Sequence, residues 1–379
     1  MKIFIKVLFA YILLQPFYAF SESEGLKILV VGAGISGLGV ARDLHDSGYK
    51  VTVLEARNKI GGRIDTDRSL GFPLERGANW IHSNQVEGNQ LMSLKEELGL
   101  KTNISTLDPL DFKLFNKEGE VVTLSEEDFE KIEFRVGLAA YIASYVKPSS
   151  TLGDVIGLLK SLGLLSFAPD VVLKAFLQQL ELGAAEDEEN IPVGALISEY
   201  AYMEDAGDDE EVFGGFDQFT NHLSKSLDIK LNSPVSKINY LSDKIEVFAN
   251  EKVYIADVVV ISVSLGVLQK NLIEFIPDLP VEKKEAINNI SWGSVNKVIF
   301  KFPYNFWGDV ENFFIEREDR HAFTTWFSSE VMVNEPVVYS FFSGEFSRNM
   351  EKETDDYIVE EAMKSLKVAY GKDVPEPEA

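Results

Sequence analysis

The stretch from Leu26 to Glu55 constrains the fold of this chain more than any other. Leu26 to Val31 is a buried-strand run, mostly β-branched, that passes directly into Gly32-Ala33-Gly34-Ile35-Ser36-Gly37. An apolar helix is predicted from about Leu38 to Asp46, ended by Gly48, then a second strand from Lys50 to Leu54, closed by Glu55. Glu55 follows the first glycine by about 20 residues, the spacing of a βαβ dinucleotide fingerprint. Gly32 permits the tight turn, Gly34 lets the backbone approach a pyrophosphate, and Gly37 lets helix and strand pack closely. The phosphates would sit at the helix N-terminus, where unpaired N–H groups and the dipole favour negative charge. Glu55 would accept hydrogen bonds from a ribose hydroxyl.

A second cluster, Gly61-Gly62-Arg63, follows Arg57. It suits close backbone approach and phosphate charge, a clamp that a simple nicotinamide enzyme does not need. Further on, Val295 to Phe302 alternates like a strand, with Val295, Lys297, Ile299 and Lys301 on one face and Asn296, Val298, Phe300 and Phe302 on the other. Taken alone, Lys297 reads as an exposed lysine on an edge strand. A capping-box start at Leu124 to Asp128 predicts a helix towards Val146, and apolar periodicity covers Leu152 to Leu165 and Pro169 to Leu182. Val337 to Phe342 reads as a strand, and Thr354 as the N-cap of a helix running to about Tyr370.

The 379 residues suffice for two or three domains at roughly 150 residues each. With 61 acidic against 36 basic side chains the net charge is −25, which repels nucleic acid and draws small cations. The absence of cysteine excludes disulfides, thiolate catalysis and cysteine-based metal sites. No spacing points to a metal. Two acid runs, Glu186 to Glu189 and Asp208 to Glu211, are expected to be solvated loops that attract cations at long range. At the amino terminus, Lys2 and Lys6 precede an apolar run from Val7 to Leu14 and small residues at Ala19 and Ser21. Residues 1–21 are therefore expected to be a secretory signal, too short for a stable membrane anchor. The sequons at Asn103 and Asn289 would then be open to glycosylation.

The runs VVGAGISGLGVARDL, VTVLEARNKIGGR and LERGANWIH resemble the flavin-containing amine oxidase family, in particular its polyamine oxidase branch. So do Gly214 to Ile238, Ala256 to Gln269 and Ser291 to Phe302, although Ser264 stands where the family has proline. The resemblance implies FAD as cofactor, contacted by Gly32, Gly34, Ile35, Ser36, Gly37, Glu55, Ala56, Arg57, Gly61, Gly62, Arg63, Gly77, Ala78, Asn79, Trp80 and the backbone of Val235. Gly77 and Ala78 would be small where a planar ring lies close, while Trp80 is equally well a packing residue. It places Lys297 at the catalytic position, reaching flavin N5 through a water, and His82 on the substrate side. His222 is left as structural.

The implied fold is α/β: a Rossmann-like FAD-binding domain assembled from residues 26–105 and 206–283, and a substrate domain of sheet plus helices from 106–205 and 284–379. The chain stops at Pro375-Glu376-Pro377-Glu378-Ala379, so the family's C-terminal flavin-binding segment is expected to be absent. The implied reaction is oxidation of amines, polyamines such as spermine and spermidine foremost, giving an aldehyde, a shorter amine and hydrogen peroxide. The partners are a small cationic amine and oxygen, on a monomer or weak oligomer. The rival readings are a secreted L-amino acid oxidase, which would need an arginine for the substrate carboxylate, and a noncatalytic flavin-binding remnant.

Overall fold

The computed structural model of the chain describes residues 25–105, 109–203, 207–319 and 321–379, so the expected signal segment lies outside the described residues. Two compact units are present, each built from separated stretches. One takes the described residues up to Gly62 together with Thr220–Asn288, and the other takes Arg63–Phe219 and Asn289–Ala379.

The first unit contains a parallel sheet in the order Asp228–Lys230, Lys50–Leu54, Lys27–Val31, Val258–Ile261. Successive side chains of a strand point to opposite faces, and here both faces are covered. Ile28, Val30, Val51 and Val53 pack on one side with Leu38 and Ala41 of the helix Ile35–Asp46. Leu29, Val31 and Leu54 face a second core that includes Val235, Ile238 and Val247 from a smaller sheet. The helix starts at Ile35, earlier than its apolar pattern suggests. Its first turn is made by the motif itself, after Gly34 in an extended conformation at the N-cap.

In the second unit a six-stranded sheet runs in the order Val295–Lys301, Val337–Ser343, Thr325–Ser328, Asn312–Ile315, Phe112–Phe115, Val121–Val122. Alternation again serves two cores. Leu114 and Phe314 pack under the helices Glu126–Val146, Leu152–Ser161 and Asp170–Ala184. Phe115, Phe313 and Ile315 face the helix Asp355–Tyr370 through Ala362, Met363 and Leu366. Each such buried Leu, Ile, Met or Phe side chain contributes about 1.5–3 kcal/mol. The expected caps are present: Ser125 accepts from the Asp128 N–H and Thr354 from the Tyr357 N–H. A reciprocal capping box closes at Thr151 and Asp154.

The α/β class holds, but the boundaries differ from those expected. Residues 63–105 and 207–219 fall in the second unit, because Trp80–Ile81 and Thr102–Ser105 both pair with Asp209–Val212. Thr66–Asp67 likewise pairs with Leu74–Glu75. Residues 284–288 fall in the first unit. The acid runs are not solvated loops either. Asp209–Val212 is the central strand of a three-stranded sheet, and Glu210 and Glu211 are buried in it. Glu210 accepts from Lys95 Nζ at 2.5 Å and Thr102 Oγ1 at 2.6 Å. In the other run, Glu186 binds the Arg348 guanidinium and Asp187 accepts from the Glu345 N–H at 2.9 Å. Among the described residues no helix is long and apolar enough to cross a membrane.

Candidate active site

The first unit supplies a turn made of backbone. A Cβ on Gly37 would stand 2.1 Å from the Gly32 carbonyl oxygen, and one on Gly32, at φ +105°, 2.7 Å from that of Ser262. No larger residue fits either place. The two glycine clusters meet: Gly34 and Gly61 form a parallel bridge, the Gly61 N–H donates to the Ala33 carbonyl at 2.9 Å, and a Cβ on Gly62 would lie 3.1 Å from the Gly34 Cα. Helix Ile35–Asp46 has no side-chain cap and no acid in its first turn. Its leading N–H groups at Ile35, Ser36 and Gly37 thus remain available to an anion, and the dipole favours one. A dinucleotide pyrophosphate fits this arrangement of backbone donors and missing side chains.

Glu55 does more than close a strand. Its Oε2 accepts from the Ala33 N–H at 2.8 Å and its Oε1 from the Arg57 N–H at 2.9 Å, so the buried carboxylate braces the turn. Arg57 Nη2 donates to the Gly62 carbonyl at 2.7 Å, fastening the second cluster, while Ala56 is exposed. The Asn232 N–H donates to the Arg57 carbonyl and the Ser233 N–H to that of Glu55, which sets Val235 against Val31 and Leu54. Gly32 to Gly37, Glu55 to Arg57, Gly61, Gly62 and Val235 are therefore gathered in one place.

Arg63, Gly77, Ala78, Asn79 and Trp80 belong to the second unit. Gly77 has a structural reason for its size, since a Cβ there would lie 1.8 Å from the Arg63 carbonyl oxygen. The Ala78 N–H donates to that same carbonyl at 3.1 Å, and the Arg63 guanidinium stands 5.8 Å from the Trp292 ring centre.

Lys297 sits among oxygen acceptors and aromatic rings of this unit. Its strand is at the sheet edge, as its alternation suggests, yet the side chain does not reach into solvent freely. Nζ donates to the Glu75 carbonyl at 2.7 Å, to the Gly77 carbonyl at 3.3 Å and to Asn79 Oδ1. The Tyr339 and Phe341 rings lie 4.9 and 4.6 Å from it, Phe341 being its partner across the ladder. Desolvation pushes its pKa down to about 7, against the opposing pull of the Glu75 and Glu211 carboxylates. Burial in turn raises Glu75 and Glu211 above the usual carboxylate range. Trp80 extends the aromatic wall, 5.5 Å from Phe341 and 6.0 Å from Phe327. Such a wall suits the alkyl stem and charge of an amine.

His82 is not among Lys297's contacts; it is exposed, its ring centre 6.2 Å from that of Trp80. Its Nδ1 is 2.9 Å from Asp209 Oδ2, and this hydrogen bond raises its pKa. Glu211, Tyr339 and Phe341 escape a reading by motif. Their only sequence signals are an acidic run and the alternation of Val337–Ser343, and neither says which residues they will face.

The sequence profile of the flavin containing amine oxidoreductases matches residues 35–379. The chain is 31% identical to polyamine oxidase 5 of Oryza sativa subsp. japonica over 364 residues, covering 90% of this chain and 71% of that protein. Putrescine oxidase in a complex with putrescine superposes with a TM-score of 0.72 at 20% identity, covering 94% of this chain and 84% of that one. Cyclohexylamine oxidase from Brevibacterium oxydans IH-35A superposes with a TM-score of 0.73 at 20% identity, covering 94% of this chain and 83% of that one.

Proposed function

We propose a function from the premise that the chain belongs to the flavin containing amine oxidoreductase family and is an FAD-dependent amine oxidase: its substrates are polyamines. Support comes from the likeness to plant polyamine oxidases, from the net charge of −25, which concentrates cations, and from the aromatic wall of Trp80, Phe327, Tyr339 and Phe341. The single observation that carries the reading is Lys297, an amine held by three oxygen acceptors and poised near neutrality.

Gly34, Ile35, Ser36 and Gly37 would hold the FAD pyrophosphate on backbone N–H groups, with Glu55 towards a ribose and the Val235 backbone towards the adenine. The chemistry that bound FAD supplies is removal of a hydride from the carbon beside the amine nitrogen and delivery of the electrons to oxygen. Lys297 handles the proton. Its ammonium matches the three acceptors around it, and its neutral amine, favoured by desolvation, has a lone pair to take a proton at Nζ. His82, ion-paired with Asp209, would meet the substrate at the outer side of Trp80. With one water consumed, the oxidised amine yields an aldehyde and a shorter amine, and oxygen leaves as hydrogen peroxide.

Residues 1–21 would direct the chain to the secretory pathway, and Asn289 is exposed at the end of the helix Val281–Asn289, where a glycan could attach. Retention of the chain inside the producing cell would overturn this assignment. The test of substrate class is peroxide release: spermine or spermidine should give it and leucine or phenylalanine should not. Release with the amino acids instead would transfer the chain to the amino acid oxidases, and none with any amine would mark it as noncatalytic.

A further inference from the structure

Behind Asn79 lie two polar groups that the proposed chemistry does not use, the Tyr339 hydroxyl and the Glu211 carboxylate. Asn79 Nδ2 donates to the Tyr339 hydroxyl oxygen at 3.1 Å, and that hydroxyl donates to Glu211 Oε1 at 3.2 Å. Asn79, Tyr339 and Glu211 are 8%, 3% and 9% exposed, so almost none of this polarity can be satisfied by bulk water. A chain of hydrogen bonds has a direction, and an ionised carboxylate can only accept. With Glu211 ionised, the single Tyr339 proton goes to the carboxylate, and the hydroxyl oxygen is left to accept from the Asn79 amide nitrogen. That leaves the Asn79 oxygen for Lys297 Nζ, which donates to it. Turned the other way, the carboxamide would aim its NH2 group at the lysine ammonium.

The fold delivers the parts independently. Asp209–Val212 pairs with Trp80–Ile81, with Glu211 opposite Trp80, and so comes beside the stretch that carries Asn79. Tyr339 comes from the strand that places Phe341 opposite Lys297. Two small cavities adjoin the pair. Glu75, Asn79, Glu211 and Tyr339 help line one of about 40 Å³, and Glu211, Tyr339 and Glu311 help line another of about 10 Å³. By volume they hold a few water molecules and at most one.

We propose that Glu211, acting through Tyr339, is a positioning residue: it fixes the direction of the Asn79 carboxamide and thereby anchors the Lys297 amine. The consequence for turnover rests on the catalytic reading of Lys297, whereas the anchoring itself does not. The charged groups around the network are Glu75 and Glu211, which favour the Lys297 ammonium, Glu311, which repels Glu211, and Asp217, which repels Glu75 and is held by Arg68.

The test is an NMR titration of 13Cε-labelled lysine in the purified chain, the Lys297 signal being assigned by its loss in Lys297→Met. Glu211→Gln should lower the Lys297 midpoint by about one unit, since an opposite charge is removed and the carboxamide can turn. Tyr339→Phe separates the two causes because it keeps the carboxylate, with its direct bond to the Asn79 side chain, and cuts only the link through the hydroxyl. A fall of about half a unit there supports anchoring. An unchanged midpoint in Tyr339→Phe, with circular dichroism and melting showing a folded chain, would overturn the proposal even if Glu211→Gln shifts. Should Glu211→Gln fail to fold, Glu211→Asp with Tyr339→Phe gives the same reading. Undiminished turnover in Lys297→Met would remove the catalytic role of Lys297 while leaving the titration result intact.

Discussion

The glycine turn of the first unit and the lysine pocket of the second are built from opposite materials. In the turn the functional surface is backbone, and side chains matter by being absent, as at Gly32 and Gly37, or by bracing, as with Glu55. In the pocket the functional atom is one side-chain nitrogen, and its character comes from groups far away in sequence: the 75–79 stretch, Glu211, Tyr339 and Phe341. A backbone site tolerates no added atoms. A side-chain site tolerates them but loses its tuning when a neighbour changes.

Gly37→Val should therefore have the largest effect. Its side chain would enter the space of the Gly32 carbonyl, costing ~3 kcal/mol or more. The purified variant should carry no flavin, which its visible spectrum would reveal, and a normal spectrum would break the contrast with the pocket. Lys297→Met should do the reverse, keeping the flavin spectrum while slowing turnover by roughly 10²–10⁴-fold. For the native chain the sign with pH follows from the depressed lysine: the amine is protonated below about 7 and neutral above it, so turnover should rise with pH through that value. Lys297→Arg, cationic throughout, should lose that limb.

Legibility differed between the two regions for a physical reason. The turn was readable because strand, glycines, helix and Glu55 lie within one short stretch, so spacing encodes geometry. Even there the bracing hydrogen bonds of Glu55 were hidden, since they depend on how the loop closes. For the pocket, alternation put Val298 and Phe300 in the core and Lys297 on the other face, as found. Its partners came from pairings that no local pattern reports. Asp208 to Glu211 looked like a solvated run because charge density outweighed strand propensity, whereas pairing on both sides buried Glu210 and Glu211. The same pairings moved residues 63–105 into the second unit.

His82→Ala should be a smaller perturbation than either site change. The imidazole is exposed, with its Asp209 ion pair screened by water, so turnover should fall by less than about 10-fold with the melting temperature nearly unchanged. A loss as large as that of Lys297→Met would put His82 in the same chemical step. The smallest effect should come from Thr354→Ala, which removes the cap of the helix Asp355–Tyr370. It should cost about 1 kcal/mol, a fall of roughly 2–4 °C in melting temperature, with turnover retained.

The most direct test of the central claim is the visible absorption spectrum of the purified 379-residue chain before and after spermine is added without oxygen. Flavin bands that bleach on addition and return when air is admitted are the expected result. Bands that are present and stay unchanged with spermine and other amines would contradict it.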